Sequence, residues 1–171
     1  SNLSAASTSP VDNSVLYDTT SPSVTVDQAV GQNDPANASP INFRVVFSEA
    51  VTDFETADLG DVDLSAGSAP GALTFVISGG PTIYNVAVSG MSGPGTVLAS
   101  IPASVAVDLA SKPNGASTPI DNSVTFDATA PDSSINTNPS NPTTSTSAAF
   151  TFSGTDSGTG VASLQCDLDG G

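Results

Sequence analysis

The stretch Val11-Asp12-Asn13-Ser14-Val15-Leu16-Tyr17-Asp18-Thr19-Thr20-Ser21-Pro22 recurs, with seven of its twelve residues identical, as Ile120-Asp121-Asn122-Ser123-Val124-Thr125-Phe126-Asp127-Ala128-Thr129-Ala130-Pro131. The two copies lie 109 residues apart without a gap. In each copy apolar side chains alternate and then give way to an Asp-Thr-Pro type of turn, which predicts a β-strand followed by a stiff joint. Because self-similarity at a fixed spacing marks a tandem array, the stretch indicates the end of one β-domain and the start of the next.

The repeat divides the chain into three parts. Residues 1–21 are predicted to hold the closing strand of a preceding repeat plus a linker. Residues 22–131 are predicted to form a complete domain, and residues 132–171 the incomplete start of a further one. This organisation predicts one whole β-sandwich between two partial neighbours.

Short alternating runs separated by Gly, Pro and Asn turns fill residues 22–131, a pattern typical of an all-β sandwich. The clearest run is 41–47, where apolar residues take every second position. Residues 120–126 are expected to form one closing strand. Residues 105–110 are the only candidate for a helical turn.

The charge of the chain is strongly acidic, with 17 Asp and Glu against 2 Lys and Arg and a formal net charge of -15. Nucleic-acid affinity comes from Lys and Arg displacing counterions, so a nucleic-acid partner is excluded. An anionic membrane surface is excluded for the same reason. No apolar run approaches the ~20 residues that span a bilayer, and we expect no membrane insertion. Such a charge favours solubility and divalent cations.

Catalysis has little support in the residue types present. The chain contains no His, so it lacks the base of a Ser-His or Cys-His pair. Glu49 and Glu55 are the only glutamates, and neither lies near an aromatic platform for a sugar. The single thiol, Cys166, has no basic neighbour in the sequence that would activate it. We therefore expect no enzymatic activity.

Calcium is the one cofactor that the residue pattern suggests, because it needs several carboxylate and carbonyl oxygens. Asp58, Asp61 and Asp63 lie within six positions, and Asp61 and Asp63 share one face if the segment is extended. Asp18 and Asp127 lie at the two joints, where a cation would brace adjacent domains. The EF-hand spacing is absent, and the same residues also fit as turn formers and edge-strand charges.

A family resemblance enters at Phe47-Ser48-Glu49-Ala50-Val51-Thr52-Asp53-Phe54-Glu55-Thr56-Ala57-Asp58-Leu59. This run resembles the F-S-E-x-V…F…D-[LV] signature of bacterial Ig-like repeats, which occur in large surface proteins and adhesins. Where that family usually reads Asp-Ala-Ala-Gly-Asn, this chain has Asp108-Leu109-Ala110-Ser111-Lys112. Residues 150–171 resemble a second bacterial Ig-like subtype, in which the cysteine commonly has a partner further along. The resemblance implies an Ig-like β-sandwich that is extracellular or on the bacterial cell surface.

Three hypotheses of function follow. The first is a structural spacer repeat of an adhesin-type stalk, whose partners are neighbouring Ig-like repeats. The second is a filament subunit, in which residues 10–18 of one chain complete residues 130–171 of an identical chain head to tail, because unpaired strand edges recruit partner strands. The third is a glycan-binding or protein-binding module that uses exposed loops or an edge strand.

Overall fold

The computed structural model describes residues 17–167, which form an all-β structure without any helix, so this part of the chain holds no helix that could cross a membrane. The strand predicted in residues 11–16 lies outside the described residues. The strands are β1 (Val24–Gln28), β2 (Ile41–Phe47), β3 (Val51–Thr52), β4 (Gly71–Gly79), β5 (Ile83–Met91), β6 (Gly95–Leu98), β7 (Val107–Asp108), β8 (Thr118–Asp121), β9 (Ser123–Phe126), β10 (Asp132–Thr137) and β11 (Thr151–Thr155).

The main sheet contains five strands in the order β4-β5-β2-β1-β8. Its neighbours are antiparallel, except that β8 runs parallel to β1. The predicted strand at 41–47 is confirmed as β2, with every second side chain buried and Arg44 exposed. This alternation places one face of the sheet against the interior and the other in solvent.

Two shorter strand pairs, β3–β7 and β6–β9, lie outside the main sheet. Val97 of β6 and Val124 of β9 are fully buried and belong to the same apolar core as the inward residues of the main sheet. Phe47, Phe54 and Tyr84 meet edge to face in this core, with ring centroids 5.0 to 5.8 Å apart. The sheets therefore enclose a single interior, and the all-β arrangement is β-sandwich-like.

The prediction of one closing strand at 120–126 is wrong, because this stretch forms two strands in different sheets. β8 pairs with β1, whereas β9 pairs with β6. Asn122 separates them: its side-chain amide donates to the carbonyl of Ala99, and its own carbonyl accepts from the N–H of Ala99 at 3.0 Å. These hydrogen bonds hold Asn122 at the point where the chain passes from the main sheet to the β6–β9 pair.

The helical turn considered for 105–110 is also absent. Val107–Asp108 is strand β7, antiparallel to β3, with Val51 opposite Asp108 and Thr52 opposite Val107. Val107 is β-branched, and a helical nucleus of one turn is unfavourable in so short a segment.

The strands β10 and β11 form a separate antiparallel pair after the second copy of the repeat. Within the described residues, the apolar core extends only from Val24 to Phe126 and takes nothing from this pair. Several apolar side chains of the pair and its flanks remain exposed, namely Ile135, Phe150, Phe152 and Leu164.

Candidate functional site

Three acidic side chains from distant parts of the chain meet beside the first joint. One carboxylate oxygen from each of Asp18, Glu49 and Asp108 lies within 4.8 Å of the others. Between residues 17 and 167 this is the only group of three or more such side chains that approach so closely. Asp18 and Glu49 are half-buried, and Asp108 is 4% exposed.

Pairing of two short strands brings Glu49 to Asp108. β3 begins at Val51, two residues after Glu49, and Val51 lies directly opposite Asp108 of β7. The connection from β2 to β3 is too short for Glu49 to lie elsewhere. The position of Glu49 next to Asp108 is therefore a consequence of this pairing.

The joint segment that carries Asp18 is fastened to the same corner by backbone hydrogen bonds. Ser23 donates its N–H to the hydroxyl of Ser48 at 3.0 Å, and Ser48 donates its N–H to the carbonyl of Ser23 at 2.9 Å. The carbonyl of the buried Pro22 accepts from the N–H of Gly115 at 3.0 Å. These contacts hold the start of the domain beside Glu49.

A tight turn fixes the carboxylate of Asp108. Its Oδ1 accepts the N–H groups of Ala110 at 2.7 Å and Lys112 at 2.8 Å, and Ser111 in the turn has a φ of 61°. Its Oδ2 is buried and has no hydrogen-bond partner among residues 17–167. Burying a carboxylate oxygen without a partner costs free energy. A bound ligand would reduce that cost by supplying the partner.

The electrostatics of the group are unbalanced. Burial, the charge of Asp18 and the charge of Asp108 all raise the pKa of Glu49. The raised pKa means that the negative charge of Glu49 is disfavoured beside the two aspartates. The site attracts positive charge and offers oxygen donors only.

The aspartate of the second joint, Asp127, has different surroundings. Asp127 is buried, its Oδ1 accepts the N–H of Thr129, and its Oδ2 accepts both the N–H and the hydroxyl of Thr159. These donors lower the pKa of Asp127 to about 2. The charge of Asp127 is thus satisfied by protein groups, and Asp127 does not lie in the three-carboxylate group.

The remaining predicted calcium residues lie elsewhere on the domain. Asp58 and Asp61 line an open pocket of about 260 Å³ together with Asp53, whereas Asp63 is exposed and accepts the N–H of Ser65. Their segment is not extended, since Asp61 is buried and Asp63 is exposed. Burial raises the pKa of Asp61 while the N–H of Glu55 opposes that rise, and hydrogen bonds from Ser65 lower the pKa of Asp63.

Sequence reasoning found one of the three grouped carboxylates, Asp18, from its place at the joint. Glu49 was considered as a catalytic acid, and Asp108 was given no role. Their spacing in the chain gives no signal of a shared site. Cys166 is exposed and stands apart from the group.

Comparison of the chain with protein-family models, with characterised protein sequences and with solved structures found no match.

Proposed function

We propose that this chain is a structural spacer segment of a bacterial extracellular surface protein, built from Ig-like β-sandwich repeats in tandem, with no catalytic activity. In an adhesin-type stalk, such repeats hold a distal unit away from the cell. Neighbouring repeats of the same kind are the partners of each domain.

One observation carries this proposal: the joint and the strands that follow it have the same construction in both copies of the repeat. Asp18 Oδ1 accepts the N–H of Thr20 at 2.9 Å, and Asp127 Oδ1 accepts the N–H of Thr129 at 2.9 Å. A proline follows each turn, and an antiparallel strand pair follows each proline. In the first pair Val26 lies opposite Val45, and in the second Ile135 lies opposite Phe152. A module that restarts in this way is what a stalk of tandem repeats requires.

The pockets of the described residues support a structural role. Two open pockets have volumes of about 260 and 270 Å³ and are lined mainly by acidic and small side chains. Small-molecule sites are usually concave and largely apolar, with a few placed polar groups. Neither pocket has that character.

Single-molecule pulling on the full chain tests the proposal. A spacer should unfold in a discrete event that releases the contour length of residues 22–131, roughly 350–400 Å at about 3.3–3.6 Å per residue, and should refold on relaxation. Release of a clearly longer length in one step, from residues 22–131 and 132–167 together, would show one continuous globule. A screen of the chain against a glycan array provides the second arm, because specific glycan binding would favour a binding module instead.

Exposed apolar side chains favour a second candidate function, self-assembly into filaments. Ile135 is 68% exposed and lies beside exposed Phe152 on the β10–β11 pair. A two-stranded sheet with unpaired edges and apolar side chains is a site for added strands. Sedimentation velocity at rising concentration tests this function: growing, open-ended species support it, and a single monomeric species at every concentration contradicts it.

A further inference from the structure

We propose that Asp18, Glu49 and Asp108 bind one divalent cation, and that calcium is the ion their chemistry fits. The site itself is argued from geometry. Its consequence for a stalk, given below, rests on the proposed spacer function.

The first argument is the buried Oδ2 of Asp108, which has no partner within the described residues. Oδ1 of the same carboxylate is held by two N–H groups, so the side chain cannot rotate to expose Oδ2 without breaking both bonds. Buried carboxylates are normally paired, hydrogen-bonded or bound to metal. A cation supplies the missing interaction without any rearrangement of the turn.

The second argument is the spacing of the donors. Calcium binds oxygen at about 2.3–2.6 Å, so two of its ligands lie at most roughly 4.6–5.2 Å apart. One oxygen from each of the three carboxylates lies within 4.8 Å of the others, which is close to the separation that ligands of one shared ion require. Calcium takes about 6–8 oxygens, which leaves positions for second carboxylate oxygens and water.

The third argument concerns the identity of the ion. The group contains only carboxylates, and the chain has no His, so the nitrogen and sulfur ligands that zinc and copper prefer are missing. Magnesium demands near-ideal octahedral geometry and releases its water reluctantly, whereas calcium accepts irregular oxygen cages. Calcium is therefore the ion that three carboxylates from three separate segments fit best.

The three ligands connect three parts of the domain. Asp18 precedes the joint proline, Glu49 follows β2, and Asp108 lies in β7. An ion bound to all three would fix the incoming segment against the domain that follows. In a stalk, this contact would stiffen the connection between repeats.

Calorimetric titration of the EDTA-treated full chain with CaCl₂ tests the site. We expect binding at a stoichiometry of one ion per chain, and at least 10-fold weaker binding in each of Glu49→Gln and Asp108→Asn. The matched control is Glu55→Gln, because Glu55 is the only other glutamate, is exposed and lies outside the group. Its affinity for calcium should equal that of the unchanged chain.

Amide chemical shifts locate the ion and separate loss of binding from loss of fold. Calcium should shift the amide signals of Ala110 and Lys112, which donate to Asp108. Glu49→Gln should leave the spectrum of the core unchanged while abolishing those shifts. The proposal is overturned by the absence of heat and of shifts at millimolar CaCl₂, by equal affinity for MgCl₂, or by binding that survives both variants and disappears in Asp61→Asn. The pulling experiment measures unfolding and does not depend on calcium binding. The calcium site and the spacer function can therefore be refuted independently of each other.

Discussion

The carboxylate of Asp127 accepts two hydrogen bonds from Thr159, one from its backbone N–H at 2.7 Å and one from its hydroxyl at 2.9 Å. A third bond comes from the N–H of Thr129 at 2.9 Å. These bonds join the end of β9 to the loop after β11. All three bonds are accepted by the carboxylate of Asp127. They are strongest while that carboxylate is ionised.

The first prediction concerns pH. Hydrogen bonds from Thr129 and Thr159 lower the pKa of Asp127 to about 2 in the folded chain, from an ordinary value of 3.8. A lowered pKa in the folded state contributes stability that is present above 3.8 and is lost as the pH falls through about 2. An NMR titration should show the amide of Thr159 changing with a midpoint near the lower value. A midpoint at or above the ordinary value would contradict this, and in Asp127→Asn the transition should be absent.

The second prediction concerns close packing at the same joint. A methyl group on Gly158 would overlap the carboxylate of Asp127. Gly158→Ala should therefore separate Asp127 from Thr159 and destabilise the loop by about 1–3 kcal/mol, the usual cost of overpacking. Hydrogen exchange of the Thr159 amide measures the effect. Gly115→Ala is the control, because a methyl group there meets nothing within 4 Å, and unchanged exchange in Gly158→Ala would refute the packing argument.

The third prediction concerns the buried amide of Asn114. Its oxygen accepts the N–H groups of Val105 and Ala106, and its nitrogen donates to the carbonyls of Pro102 and Gly115. Asn114→Asp keeps the shape and removes both donors, which leaves two carbonyls facing a negative charge. Because an unsatisfied buried polar group costs about 1–3 kcal/mol, we expect a loss of roughly 2–4 kcal/mol in the free energy of unfolding.

Urea denaturation measures the loss in Asn114→Asp. The control is Asn33→Asp, at an exposed position, where the free energy should change by no more than about 0.5 kcal/mol. Similar losses in both variants would mean that added negative charge on an already acidic chain, and not the missing donors, causes the effect.

The fourth prediction concerns the aromatic part of the core. The ring of Phe54 lies 5.3 Å from that of Phe47 and 5.0 Å from that of Tyr84, edge to face in both contacts. Phe54→Ala should lower the free energy of unfolding by about 3–5 kcal/mol, through lost burial and the cavity that remains. Leu59→Ala, at a position 77% exposed in the following turn, should have almost no effect. A loss below about 1 kcal/mol for Phe54→Ala would show that the segment after β3 packs more loosely than its burial indicates.

Most of the strand layout follows from local alternation. The run at 41–47 has a burial pattern that matches its letters position by position, because a strand with one buried face admits only one register. The division at Asn122 does not follow from alternation, because three consecutive polar residues, Asp121, Asn122 and Ser123, interrupt the pattern without indicating which sheet each side joins. The break depends on hydrogen bonds to Ala99, a residue remote in the sequence.

The candidate site was less accessible to prediction. Asp18 stands out because it lies at the turn of a repeated stretch, and this position favours a role at a joint. Glu49 and Asp108 acquire a role only when β3 pairs with β7 and the turn after β7 withdraws Oδ2 of Asp108 from solvent. The aspartates at 58, 61 and 63 form the denser cluster in sequence, yet folding places Asp61 in the interior and Asp63 at the surface.

The sequence by itself determined that this protein consists of short strands, that a twelve-residue stretch recurs after 109 residues and that the chain is acidic. Tertiary structure alone decided what each joint aspartate meets. Asp18 and Asp127 occupy the same place in the repeat, but Asp18 lies beside two other carboxylates and Asp127 lies among N–H and O–H donors. The physical reason is that the free energy of a charge depends on the groups within a few ångströms of it. Those groups come from distant segments, whose arrangement no local pattern encodes.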